Sequence, residues 1–312
     1  MPFCPPAVFR SLAGSIFAAS LLAAPMAQAA DVTDRSAGPA APQSGVLSVP
    51  GDDIFGFTSA TDVGSVGDTG MALENDGRFG KRDGRYRVLT QKLEFSRTFA
   101  PNWAGAVSIF GDARSIRNVG IFPVDRSGYQ FDGLSFELRH RLIERSATQP
   151  FALTLAVEPR WGRVDGGSGL RAESLGVEGK VQIDAAVNER LFWAMNLNLA
   201  TGRQQDPLDR SQWAASSGSA ISTALTYALV EDKVYMGAEA RWLQGWDRAL
   251  FGSLTGHAIY VGPTLLVKPA ENIALNVTFQ PQVAGKATGV PGRLDLDNFE
   301  RSTFRAKLAV AF

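Results

Sequence analysis

The 312 residues include a single cysteine, Cys4, and only two histidines, His140 and His257. One thiol makes no disulfide within the chain, and the residues after Cys4 carry no thiolate for a metal site. Two histidines leave little for a serine–histidine relay, which needs a serine, a histidine and an orienting group to converge. His140 has no serine partner beside it, and His257 is followed by A-I-Y. Catalysis is not expected, nor is a bound metal or other cofactor. Net charge is missing too, with 31 basic residues against 31 acidic ones. A nucleic-acid binder normally leaves a basic footprint, so no nucleic acid is expected as partner. Long apolar runs are also absent. The one candidate, S-L-A-G-S-I-F-A-A-S-L-L-A-A at residues 11–24, is shorter than the roughly 20 residues of a spanning helix.

That run follows Arg10 and precedes A-Q-A at 27–29. A positive flank, a short apolar core and small residues two apart have the form of a secretory signal peptide, cleaved after Ala29. Residues 1–29 are read as an export signal that takes Cys4 with it. Residues 30–66 are read as a leader. Its first part, 30–50, is small, polar and rich in proline and glycine, as unstructured segments are. Its last part, 51–66, holds I-F-G-F and reads as a short strand or a plug tucked inside the fold. Residues 67–312 form the folded unit.

Within that unit apolar and polar residues alternate, the period of a strand with two different faces. Leu134, Phe136, Leu138 and Leu142 oppose Glu137, Arg139 and Arg141. Twelve such segments follow one another: 68–77, 85–99, 103–114, 129–143, 151–163, 174–187, 191–200, 216–229, 234–243, 257–268, 273–283 and 302–312. Connections alternate between short (101–102, 188–190, 231–233, 269–272, with 144–149 somewhat longer) and long (115–128, 164–173, 201–215, 244–256, 284–301). A soluble β-sandwich and a membrane barrel both fit alternation. Four features favour the barrel: strands long enough to cross a bilayer at a tilt, an even strand number, tight turns on one side only, and aromatics near strand ends on the apolar parity. The fold class expected is all-β, a transmembrane antiparallel up-and-down barrel of about 12 strands. Pro159, Pro263 and Pro281 fall inside strands, where bulges are expected. Gln91, Arg97 and His140 fall on the lipid-facing parity, at an interface or at a slip of register.

The closing segment, Phe304-x-Ala306-x-Leu308-x-Val310-x-Phe312, resembles the terminal strand of Gram-negative outer-membrane β-barrels. The resemblance covers residues 68–312. It implies a cell outer membrane location with outer-membrane lipid around the barrel. It also implies that Phe304, Leu308, Val310 and Phe312 serve as an assembly signal read by the barrel-assembly machinery.

On the opposite parity stand the residues expected to line a pore: Lys92, Glu94, Glu137, Arg139, Arg141, Glu158, Arg160, Glu178, Lys180, Glu239, Arg241, Arg305 and Lys307. Acid and base recur two residues apart, on one face of one strand. Charges facing hydrocarbon at mid-depth would cost roughly 2–4 kcal/mol each, so this face turns inward. Ion pairs of Glu74 with Lys307 and Asp76 with Arg305 are expected where the last strand meets the first. The function expected is passive or facilitated passage of small solutes of unspecified identity. The alternative is a closed barrel with a structural or surface-interaction role through its long loops. D-G-G-S-G at 165–169 reads as a flexible loop, and L-D-L-D-N-F-E at 294–300 as a solvated one rather than a calcium site.

Overall fold

A computed structural model describes residues 49–51, 54–146 and 148–312. The expected signal peptide, and residues 30–48 of the leader, lie outside the described residues. The strands are β1 (Thr69–Phe79), β2 (Arg85–Ala100), β3 (Trp103–Arg117), β4 (Arg126–Ile143), β5 (Phe151–Val164) and β6 (Arg171–Ala186). They continue with β7 (Leu191–Gln205), β8 (Trp213–Val230), β9 (Val234–Trp246), β10 (Leu254–Ala270), β11 (Ile273–Ala287) and β12 (Ser302–Ala311). Each pairs antiparallel with its neighbours in sequence, and β1 pairs with β12, so the sheet closes into a barrel of twelve strands. Closure rules out the sandwich and leaves no unpaired edge.

Alternation sets which face looks where. Phe95, Val107, Ile109, Phe136, Leu197, Leu225, Leu275, Phe279 and Leu308 are exposed on the outside, Phe95 by 51%. A water-soluble surface rarely carries apolar area of this extent. A lipid-facing belt does, and the closed ladder satisfies the backbone hydrogen bonds that hydrocarbon cannot. The described residues include no helix long and apolar enough to span a membrane. The barrel spans it with strands.

The seam closes in the register the alternation predicts. Glu74 faces Lys307 and Asp76 faces Arg305 across β1 and β12, and the Phe312 amide donates to the Thr69 carbonyl at 2.9 Å. Arg305 grips both seam acids, Asp76 at 2.7 Å and Glu74 at 3.1 Å.

The outward polar residues do not mark a slip. Gln91 donates to Asn75 Oδ1 at 2.9 Å, so the two amides within the belt pair with each other. His140 stacks on Trp103 with ring centroids 4.0 Å apart. Arg97 sits opposite Thr69, at the short-turn end. At the prolines, pairing lapses without a change of register. The β4–β5 ladder skips from Ser135/Arg160 to Leu138/Val157 around Pro159. The β10–β11 ladder skips from Tyr260/Gln282 to Thr264/Thr278 around Pro263 and Pro281. The nearest bulge lies just beyond, at Val283.

Two loop readings are corrected. The strands run further than expected at the long-loop end, and the loops fold inward. Asp165 and Ser168 are fully buried: Asp165 Oδ1 accepts the Ser168 amide and hydroxyl, each at 2.6 Å, and Oδ2 accepts Gln204 Nε2 at 2.7 Å. Arg114 donates to the carbonyls of Asp165 and Gly166 at 3.1 and 3.2 Å. The segment 165–169 is therefore packed rather than flexible. In 294–300, Asp295, Leu296, Asn298, Phe299 and Glu300 are buried too, because their polar atoms find partners on β10 and β11 inside the mouth.

Candidate functional site

The lumen begins with the small side chains on the inward parity. At the short-turn end these are mostly alanines, among them Ala104, Ala152, Ala194, Ala224 and Ala274. A wall of methyl groups leaves room, and residues 54–64 occupy it. Ile54 and Phe55 pack with Phe192, Ala194, Ala224, Tyr235, Leu266 and Ala274. The segment has no strand of its own, so its backbone must find partners in the wall. The Phe55 carbonyl accepts from Asn276 at 2.9 Å, the Ala60 carbonyl from Arg139 at 2.9 Å, and the Thr61 carbonyl from Thr154 at 2.6 Å.

Two carboxylates take its donors. Glu239, 2% exposed, accepts the Phe57 amide at 2.8 Å together with the amide and hydroxyl of Thr58. Asp184, fully buried, accepts the Thr61 amide at 2.7 Å and its hydroxyl at 2.9 Å, and also contacts Arg145. Phe57 is then covered by cations: the Arg241 guanidinium lies 3.5 Å from its ring centre and that of Arg305 4.4 Å.

Two cavities adjoin this segment. One, of about 340 Å³, opens toward the long loops and is lined by Phe57, Phe110, Arg160, Glu178, Arg241, Tyr260 and Arg305. The other, of about 300 Å³, lies toward the short turns and is lined by Asp62, Val63, Glu94, Glu137, Arg139, Lys268 and Lys307. The segment thus contributes Phe57 to one and Asp62 and Val63 to the other.

The acid–base residues on β2, β4, β5 and β6 pair in several small clusters. Lys180 Nζ reaches Glu137 at 2.6 Å and Glu158 at 2.5 Å, Ser135 donates to Glu158 at 2.8 Å, and Lys92 pairs with Glu94 at 2.6 Å. Arg160 pairs with Asp132 and lies 3.7 Å from the Phe110 ring centre. Glu178 accepts from Asn198 at 2.6 Å. Arg241 donates to Gln280 at 2.6 Å and Thr303 at 2.7 Å rather than to an acid. Arg141, near the short turns, is held by Asn102 at 3.0 Å and Glu144 at 3.2 Å and lies 3.8 Å from Asp62 of the inner segment. Glu239 differs most from its expected place. It holds the inner segment, and no signal in its own strand separates it from Glu178.

The long-loop mouth narrows as well. Lys81 donates to the Phe299 carbonyl at 3.0 Å and pairs with Glu300 at 3.2 Å. Burial pulls the Lys81 amine below its usual pKa, opposed by Glu300. Burial likewise pushes the Asp295 carboxyl above the usual carboxylate range, opposed by its bonds from Asn298.

Residues 47–312 match a family described as a family of unknown function (DUF6662). The chain belongs to this family. No curated protein matches it. Among solved structures it is similar to an outer membrane channel from Pseudomonas putida F1, at 12% identity and a TM-score of 0.52, over 81% of this chain and 98% of that one. It is also similar to the NanC porin, at 10% identity and a TM-score of 0.47 over 77% and 98% of the two chains. For the KdgM porin the identity is 11% and the TM-score 0.46, over 78% and 99%. At such identities the likeness concerns fold alone, and this family member has the fold of an outer-membrane barrel.

Proposed function

We propose that the protein is a channel of the Gram-negative outer membrane, passing small solutes through a lumen gated by residues 54–64. The observation that carries this reading is the pair of cavities adjoining that segment, whose walls mix acids and bases with apolar side chains and extend toward both mouths. Each is near the lower end of the usual small-molecule range of roughly 300–1,000 Å³, which suits small solutes. Acids and bases alternate along the wall, so selectivity between anions and cations is weak. Residues 1–29 export the chain. The terminal strand, through Phe304, Leu308, Val310 and Phe312, is the address read by the barrel-assembly machinery.

A second reading draws on how firmly the segment is held: a permanently closed barrel acting through its outer loops. Swelling of liposomes containing the refolded mature protein separates the two. A channel admits a small neutral sugar and slows as the sugar grows. Liposomes that swell no faster than protein-free ones, for every sugar tried, would sink the channel reading.

A further inference from the structure

The outer surface is apolar through its middle but basic at one end only. At the long-loop end, on the lipid-facing parity, stand Arg85, Arg87, Arg117, Arg163, Arg203 and Lys286. Their orientation follows from their neighbours. Tyr86, Val88, Ile116 and Ala287 alternate with them and are buried inside the barrel. None of the six pairs with a carboxylate among the described residues. Arg85 and Arg117 face each other directly across β2 and β3. Like charges so placed destabilise a strand pair unless something anionic lies between them. The Arg203 guanidinium lies 5.0 Å from the ring centre of Trp213, at the level where an aromatic girdle meets headgroups.

Acidic residues at this end are already engaged. Asp83 accepts the Gly120 amide at 3.0 Å, Asp125 that of Asn118 at 2.7 Å, Asp206 that of Leu208 at 2.7 Å and Asp247 that of Ser253 at 2.8 Å. Glu173 is the one acid exposed on the outward parity of the strands there. The opposite end carries both signs on its turns, with Glu144, Glu189, Glu231, Asp232 and Glu271 beside Arg145, Arg190 and Lys233.

We propose that this basic collar binds the phosphate groups of lipids in the leaflet at the long-loop end, with Arg85 and Arg117 clasping one phosphate between them. Guanidinium groups suit the site because their planar fork matches phosphate oxygens two at a time. The collar would also fix which way the barrel sits, since the opposite end carries no comparable surplus of basic residues. The proposal needs the barrel to lie in a membrane, but it does not need the lumen to conduct.

Native mass spectrometry of the detergent-solubilised mature protein tests it, with bisphosphorylated lipid A as the probe. A basic residue near an anionic surface contributes a factor of roughly 5 in binding, so Arg85→Gln with Arg117→Gln should weaken retention about 25-fold. Arg97→Gln, at the other end, should leave it unchanged, and fully dephosphorylated lipid A should not be retained. The heat-modified shift on SDS gels verifies folding. If the double variant does not fold, Arg203→Gln alone should give about fivefold. Equal retention of the dephosphorylated lipid overturns the proposal, as does a folded double variant that binds like the parent. Inorganic phosphate binding as tightly as the lipid would make this a free-anion site and overturn the lipid assignment.

Discussion

Replacing Glu239 with alanine removes the acceptor of three bonds from the inner segment, from the Phe57 amide and from the amide and hydroxyl of Thr58. It also frees the Gln280 amide, which donates to the same carboxylate at 2.8 Å. Buried hydrogen bonds to a charged group contribute roughly 1.5–3 kcal/mol each. Water in the adjoining cavities can replace part of what is lost, so the lower figure applies. Three bonds then give about 4–5 kcal/mol, which shifts the balance between seated and displaced segment by a factor of about 10³. The bonds from Asn276, Arg139 and Thr154 to the segment survive, so the wall stays intact. Single-channel recording in planar bilayers reads the outcome directly. Glu239→Ala should spend far more time conducting than the parent, and Glu239→Gln, which keeps one acceptor oxygen, should fall between. A folded Glu239→Ala barrel whose open fraction equals the parent's would refute the idea that this carboxylate seats the segment.

Other consequences concern the seam and the stacked ring. Arg305→Ala removes the cation that bridges Glu74 and Asp76, a loss of about 3 kcal/mol, the lower figure for a broken buried pair because Lys307 still faces Glu74. The midpoint of heat-induced unfolding on SDS gels should fall, and an unchanged midpoint would contradict that role. Phe57→Ala removes the ring that covers Arg241 and Arg305. Reversal potentials across a salt gradient should then move toward anion preference, and a shift toward cations would count against the arrangement.

Much of the barrel was legible because one property, alternation, fixes both strand and face. Seam register followed from the same parity: once Phe312 stands level with Thr69, Arg305 must meet Asp76. The long-loop ends were less legible, since Asp165 and Asp295 look like solvated turn residues until Gln204 on β7 and Gln282 on β11 are brought against their loops. The inner segment was hardest. Inward alanines such as Ala194 and Ala224 read as filler along their strands, and their smallness has meaning only once Ile54 and Phe55 lie against them. Glu239 and Glu178 share the same pattern of an acid two residues from a base. What separates them is a contact with Phe57 and Thr58, about 180 positions earlier in the chain.

The most direct measurement compares planar-bilayer conductance of the refolded mature protein with and without residues 49–66. The account predicts brief, infrequent openings in the parent and a large steady conductance once the segment is gone. A deleted barrel that inserts, keeps its heat-modified shift and carries no current would contradict it, because the wall itself would then be closed.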